Sequence, residues 1–280
     1  MADTANWVAM YRAIESERPD ALFHDPYARR LAGARGEEML ATMPRAMQYG
    51  WPMVVRTAVM DEIIVRLAPQ VDAVLNLAAG LDARPYRLDL PKNLRWIEVD
   101  FPSTIDYKTS LLADAPARCA LERVALDLSD RDARRALFNR LGSAYPRMLA
   151  ISEGLLVYLG ADNAGALADD LAAIPSMPWW LTDIASPWVL RIMRRTWGKR
   201  LEQGGAPFLF APKEAGAFFT SHGWTIREYH PNMIEGERLN RFPFAWFWRI
   251  LFWRAWARAP SQRDGQMVGV LLLENAKRTG

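Results

Sequence analysis

From residue 72 to residue 184, short apolar, β-branched runs alternate with helical patterns, and that alternation narrows the chain to one architecture. The runs are DAVLNLA (72–78), LRWIEVD (94–100), RVALDL (123–128), RMLAISE (147–153) and WWLTDI (179–184). Segments such as ARRALFNRLG and DNAGALADDLAAI, with apolar residues three and four apart, separate most of them. Strands separated in this way pair in parallel, because each helical crossover carries the chain back across the sheet and lies on one of its faces. The expected core is an α/β sheet with helices on both faces. WTIREYH (224–230) and MVGVLLLE (267–274) follow as late strands, which makes about seven.

Before residue 72 the pattern is helical. Trp7, Met10, Tyr11 and Ile14 recur at helical spacing, Pro19 closes that helix, and Asp25-Pro26 opens the next. Residues 51–67 form a third helix with Val55, Val59, Met60, Ile63 and Leu67 along one face. No repeat, low-complexity tract or linker divides the chain, so it reads as one domain. Residues 1–70 are its N-terminal helical region, 71–185 and 212–280 its sheet core, and 186–211 and 240–260 a helical cap over the substrate.

With 280 residues and 51% hydrophobic content, one large core can be filled. A net charge of +3 is too small an excess to suggest nucleic acid, and no dense basic tract tracks phosphates. Cys119 is the only cysteine, which excludes an internal disulfide and points to the cytoplasm. No stretch reaches the roughly 18 uninterrupted apolar residues of a membrane span. The histidines, His24, His222 and His230, lack metal-ligand spacing, so no metal is expected. Tryptophan is abundant, with 12 copies, and Trp246, Trp248, Trp253 and Trp256 fall together in RFPFAWFWRILFWRAWARAP (241–260). On a helical projection Arg249 lies among those rings rather than opposite them, which favours a cap over an apolar pocket; a membrane or partner surface is the alternative.

Ligands of open parallel sheets bind outside the carboxyl ends of the strands, so the residues that end each strand matter most. Here they are Ala78-Ala79-Gly80, then Glu98-Val99-Asp100, then Asp127-Leu128, then Ser152-Glu153-Gly154. A carboxylate can accept both hydroxyls of a ribose, and Asp100, 20 residues beyond Gly80, is the candidate. A dinucleotide would also need G-x-G-x-x-G, where this chain has Ala78, Gly80 and Ala83. S-adenosyl-L-methionine has no phosphate and carries a cationic end. Asp127 with the Leu128 backbone could hold its adenine edge, and Glu153 could offset the cation. The competing reading of these acids is as helix N-caps or first-turn residues.

Arg56 falls in the middle of the apolar arc of the third helix. A buried arginine there needs an anion, and a ligand carboxylate would serve; alternatively Arg56 snorkels to water from the first turn.

Taken together, ESERPDALFHDPYARRLAG (15–33), NLAAGLDARPYRL (76–88), WIEVDFPSTIDYK (96–108), LDLSD (126–130) and ISEGLLVYL (151–159) resemble the leucine carboxyl methyltransferase family. The resemblance is to its bacterial branch, which includes O-methyltransferases of the tetracenomycin polyketide type, and it extends to about residue 230. It implies a Rossmann-like seven-stranded methyltransferase sheet with an added N-terminal helical region and helical cap insertions. By that resemblance Arg56 binds the carboxylate of S-adenosyl-L-methionine, and Ala79 and Gly80 pass beside its methionine moiety. Asp100 takes the ribose, Asp127 and Leu128 lie at the adenine, and Glu153 completes the pocket near the methionine moiety. His24 belongs to the family's F-x-D-P stretch, in a structural role.

The family usually reads N-L-G-A-G-L-D-T-R, and this chain departs from it at Ala78 and Ala83. A β-carbon at position 78 either crowds the cofactor or accepts a backbone angle that suits glycine. The expected activity is methyl transfer to a carboxylate or hydroxyl of a small-molecule acceptor, a polyketide-like or aromatic metabolite, by in-line displacement that needs no general base when the acceptor is ionised. The alternatives are a degenerate member with a binding or membrane-associated role, and a nicotinamide-dependent oxidoreductase.

Overall fold

The structure, a computed structural model, describes residues 3–42, 50–203, 207–243 and 268–278. Three helices precede the sheet: α1 (Asp3–Ser16), α2 (Ala28–Thr42) and α3 (Trp51–Leu67). The chain then alternates through β1 (Ala73–Leu77), α4 (Arg84–Arg87), β2 (Arg95–Asp100), α5 (Pro102–Leu111), β3 (Ala120–Ala125), α6 (Arg131–Ala144), β4 (Met148–Ser152), α7 (Ala161–Ala172) and β5 (Trp179–Ile184). It continues through α8 (Pro187–Gln203), α9 (Ala215–Ser221), β6 (Trp224–Pro231), α10 (Asn232–Arg238) and β7 (Gly269–Asn275).

The seven strands form one sheet in the order β3-β2-β1-β4-β5-β7-β6. The first five are mutually parallel, and β7 runs antiparallel to both β5 and β6. Interior strands such as AVLNL and MLAIS are buried along their whole length, as expected where helices cover both faces. The edge strands β3 and β6 are only partly buried and carry charged side chains, which discourages pairing with other chains.

Alternation along the strands divides the core in two. Leu75, Leu77, Ile97, Val99 and Trp180 pack with Leu137 and Phe138 of α6, Leu167 and Leu171 of α7, and Phe219 of α9. On the other face Val74, Trp96, Leu149, Ile151 and Leu181 meet Val55, Val59, Met60, Ile63 and Leu67 of α3. The apolar arc expected on residues 51–67 is thus the face that α3 lays on the sheet. Helix α1 stands beyond the sheet: Trp7 and Tyr11 pack with Leu190 of α8 and with Phe208, and Met10 packs with Leu81 just past β1. No helix among the described residues is long and apolar enough to cross a membrane.

The third strand lies three residues earlier than its apolar run suggests, at 120–125 instead of 123–128. Ala125 pairs with Asp100, the last residue of β2, and Pro102 then opens α5, so no partner remains for a longer strand. Leu126 donates one bond to the Asp100 carbonyl, after which the Asp127 carboxylate accepts from Ser129 N–H and turns the chain towards α6.

A charged cluster lies deep beside β2. Glu98 of β2 and Lys108 of α5 are both fully buried, 2.7 Å apart, and Glu98 also meets Arg123 Nε at 3.0 Å. Lys108→Met leaves Glu98 with half its compensation and is expected to destabilise the protein by about 3 kcal/mol, read as a lower urea midpoint at unchanged slope.

Candidate functional site

The sheet order reverses beside β1, whose neighbours β2 and β4 lie on opposite sides, and this is where open α/β sheets receive ligands. The turn after β1 is held by Asp100. Its Oδ2 accepts from Gly80 N–H at 2.7 Å and its Oδ1 from Phe101 N–H at 2.7 Å. Each oxygen of this buried, anchored carboxylate keeps a further acceptor position. Gly80 adopts φ 47°, and a β-carbon there would meet nothing closer than Ala5 Cβ of α1 at 3.6 Å; backbone conformation, not space, calls for glycine.

Ala78, in the same turn, adopts φ 50°. Of the two outcomes expected for a β-carbon at this position, the structure has the strained one: an alanine in the left-handed region.

Around β4 and β5 the site is built from charge. Arg56 is buried and does not snorkel; its Nε donates to Glu153 Oε1 at 3.0 Å and its Nη1 to Asp183 Oδ2 at 2.9 Å. Glu153 Oε2 accepts from Arg84 Nη1 at 2.6 Å. Arg84 continues to Asp82 and Asp61, Asp61 to Arg87, Arg87 to Asp25, and Asp25 to Arg12 of α1. Burial by itself would raise the Glu153 pKa, but Arg84 and Arg56 outweigh it and hold the carboxyl down to about 2. Burial likewise opposes the charge on Arg56, and Asp183 and Glu153 overcome that opposition, so its pKa lies above the ordinary value.

The expected residues divide into groups. Gly80 and Asp100 touch each other, and Arg56 and Glu153 touch each other. Ala79 is buried beside them in the β1 turn, its N–H bonded to the Val99 carbonyl of β2. Asp127 is exposed in a turn closed on Ser129 N–H, ahead of Asp130, whose side chain caps α6 on Ala133 N–H; the Leu128 carbonyl accepts from Arg134. Glu153 faces two guanidinium groups, where a role opposite a ligand cation was expected. The tryptophans at 246–256 lie outside the described residues.

Seven members of the ion-pair chain are not among the expected site residues: Arg12, Asp25, Asp61, Asp82, Arg84, Arg87 and Asp183. Their positions carry a partial signal, but their partners are not written in the sequence. Arg84 stands in the short LDARPYRL turn, Asp61 lies on α3 beyond Arg56, and Asp183 is an acid near the end of a fifth strand.

A seven-stranded Rossmann-like sheet, with an anchored acid at the end of β2 and a buried arginine at the end of β4, defines an α/β fold of the methyltransferase type. The leucine carboxyl methyltransferase family model matches residues 5–172, and the chain belongs to that family. A protein of Mycolicibacterium gilvum, provisionally named an S-adenosyl-L-methionine-dependent methyltransferase, is 36% identical over 187 residues, covering 61% of this chain and 62% of that protein. A similarly named protein of Streptomyces coelicolor is 38% identical over 170 residues, covering 57% and 60%. The matched region thus spans about three-fifths of the length of these curated relatives. In fold alone, the crystal structure of a DUF574 family protein from Streptomyces avermitilis is similar, with TM-score 0.57, 12% identity and 96% coverage of both chains.

Two outcomes follow. Ala78→Gly removes the strain of a positive φ and should stabilise the protein by about 1 kcal/mol, seen as a higher urea midpoint. Glu153, whose carboxyl is lowered from 4.5 to about 2, contributes stability that is present above pH 4.5 and lost as the pH falls towards 2. The stability gap between wild type and Glu153→Gln should therefore be widest near neutrality and close between pH 4.5 and 2.

Proposed function

We propose that this protein is an S-adenosyl-L-methionine-dependent O-methyltransferase acting on a carboxylate or hydroxyl of a small, polyketide-like or aromatic metabolite. The observation that carries the reading is the Asp100 carboxylate, pinned by two backbone N–H groups at the switch point with one acceptor position free on each oxygen. That is a preformed receptor for a vicinal diol.

The residues present fit the cofactor on two further counts. The ion-pair chain from Asp183 to Arg12 contains five carboxylates (Asp25, Asp61, Asp82, Glu153, Asp183) and four guanidinium groups (Arg12, Arg56, Arg84, Arg87), an excess of one negative charge. A sulfonium and an ammonium with one carboxylate carry one net positive charge, the complement of that excess. Arg56 Nη2 makes no hydrogen bond to a described residue, which leaves one guanidinium donor for a carboxylate.

When bound, the cofactor would supply an electrophilic methyl group. Asp100 would hold the ribose hydroxyls and Arg56 the carboxylate, with Glu153 and Asp183 keeping that end of the site anionic. An aromatic cluster of Trp7 and Tyr11 of α1 with Tyr158, just past β4, and Phe208, beyond α8, has Tyr158 stacked on Phe208 at 5.4 Å and supports the reading of a flat apolar acceptor. An ionised acceptor oxygen needs only to be held in line, so no general base is called for.

A nicotinamide dinucleotide suits the turn less well. Helix α4 has four residues, and its first N–H, that of Arg84, already donates to Asp82 Oδ1, so no open helix N-terminus awaits a pyrophosphate.

S-adenosyl-L-methionine at 100 times its dissociation constant should stabilise the wild type by about 2.7 kcal/mol and raise its melting temperature accordingly. Asp100→Ala should abolish that shift. An unshifted wild type at millimolar ligand would defeat the cofactor assignment, and an unchanged affinity in Asp100→Ala would remove Asp100 from the site.

A further inference from the structure

We infer that Asp183 is the positioning residue of the carboxylate-binding arm: it locks the Arg56 guanidinium so that Nη2 is presented to the ligand carboxylate. The inference rests on the cofactor reading above.

Strands β4 and β5 are parallel with Ser152 opposite Thr182, and these two side chains hydrogen-bond at 2.9 Å. The residues that follow them, Glu153 just past the end of β4 and Asp183 within β5, both reach Arg56. Two adjacent carboxylates repel, and Arg56 lies between them, giving Nε to one and Nη1 to the other.

A planar guanidinium tied by one hydrogen bond can pivot about it. Tied on two edges it cannot, and the direction of the third nitrogen is set. Both ties are themselves anchored. Glu153 is held by Arg84 through its second oxygen, and Asp183 Oδ1 accepts from Gly154 N–H at 2.6 Å. Gly154 adopts φ 65°, and a β-carbon there would lie 3.3 Å from Arg56 Nη1, so turn, acid and guanidinium form one packed unit. Among the described residues Arg56 is the only cation that Asp183 meets. Its other bond, from Gly154 N–H, joins β5 to the turn after β4 and needs only an acceptor oxygen, so the two bonds can be separated by substitution.

Asp183→Asn divides the two bonds. The amide oxygen can still accept from Gly154 N–H, while the amide nitrogen confronts Nη1 as a second donor. Titration calorimetry on the full chain, with S-adenosyl-L-methionine and with its decarboxylated analogue, gives the readout. Wild type should prefer the intact ligand by about tenfold, the worth of one good charge-assisted contact. Asp183→Asn should lose about tenfold in affinity for the intact ligand and under about threefold for the analogue, erasing the preference. An equal loss for both ligands would make Asp183 merely structural and overturn the inference, and so would no loss. A gain for the intact ligand would also overturn it, because Asp183 would then be competing with the ligand for Arg56. Wild type that binds both ligands alike would sink the role of Arg56, whereas wild type that binds neither would sink the cofactor reading itself.

Discussion

The buried chain of ion pairs from Asp183 to Arg12 is the constraint on which this structure turns. It ties β5, β4, the β1 turn, α3 and α1 to one another through pairs that cross from element to element, with Asp82–Arg84 the pair made inside the β1 turn. Removing one member of a buried pair typically costs 3–5 kcal/mol, a large part of the 5–15 kcal/mol that holds a domain together. Apolar side chains would fill the same volume more stably. What charges provide instead is direction: each guanidinium fixes the plane and the edge at which its neighbours must arrive.

Apolar packing decides where that chain can be built. Val55, Val59 and Met60 press α3 against Val74, Ile151 and Leu181, and this sets Arg56 at the carboxyl edge between β4 and β5. Helix α1 packs through Trp7 and Tyr11 on Val54 and Ala58 of α3, so the helical N-terminal region belongs to the core, and through Arg12 it joins the ion-pair chain. The backbone strain at Ala78 sits inside this rigid frame. It persists because the Asp100 carboxylate and the Val99 carbonyl of β2 hold the turn from outside.

Most of the sheet was legible in the sequence because strands buried on both faces cannot hide their apolar runs; the expected and observed limits of α3 coincide for the related reason that its periodicity ends at a proline. The third strand was misplaced because ALERVALDL keeps alternating after its partner strand has ended, and pairing is not written in one strand alone. At the site, Arg56, Gly80 and Asp100 stood out through residue type and position. Asp127 was indistinguishable from a capping acid by the same criteria; its carboxylate closes the turn on Ser129 N–H, and Asp130 caps α6. Asp61, Asp82 and Asp183 were illegible because their meaning depends on which arginine each one meets, a fact of tertiary packing and not of spacing.

The place of β7 has a kinetic consequence. It lies between β5 and β6 yet is separated from β6 by a long stretch of chain, so β6 cannot join the sheet until β7 has docked. Until that late, long-range event, the open side of β5, with Trp179, Trp180 and Leu181, is a sticky unpaired edge. The order in which the chain assembles thus leaves the strand that bears Asp183 among the last to be enclosed, and a nascent molecule stalled at that stage would self-associate before it could recognise anything smaller.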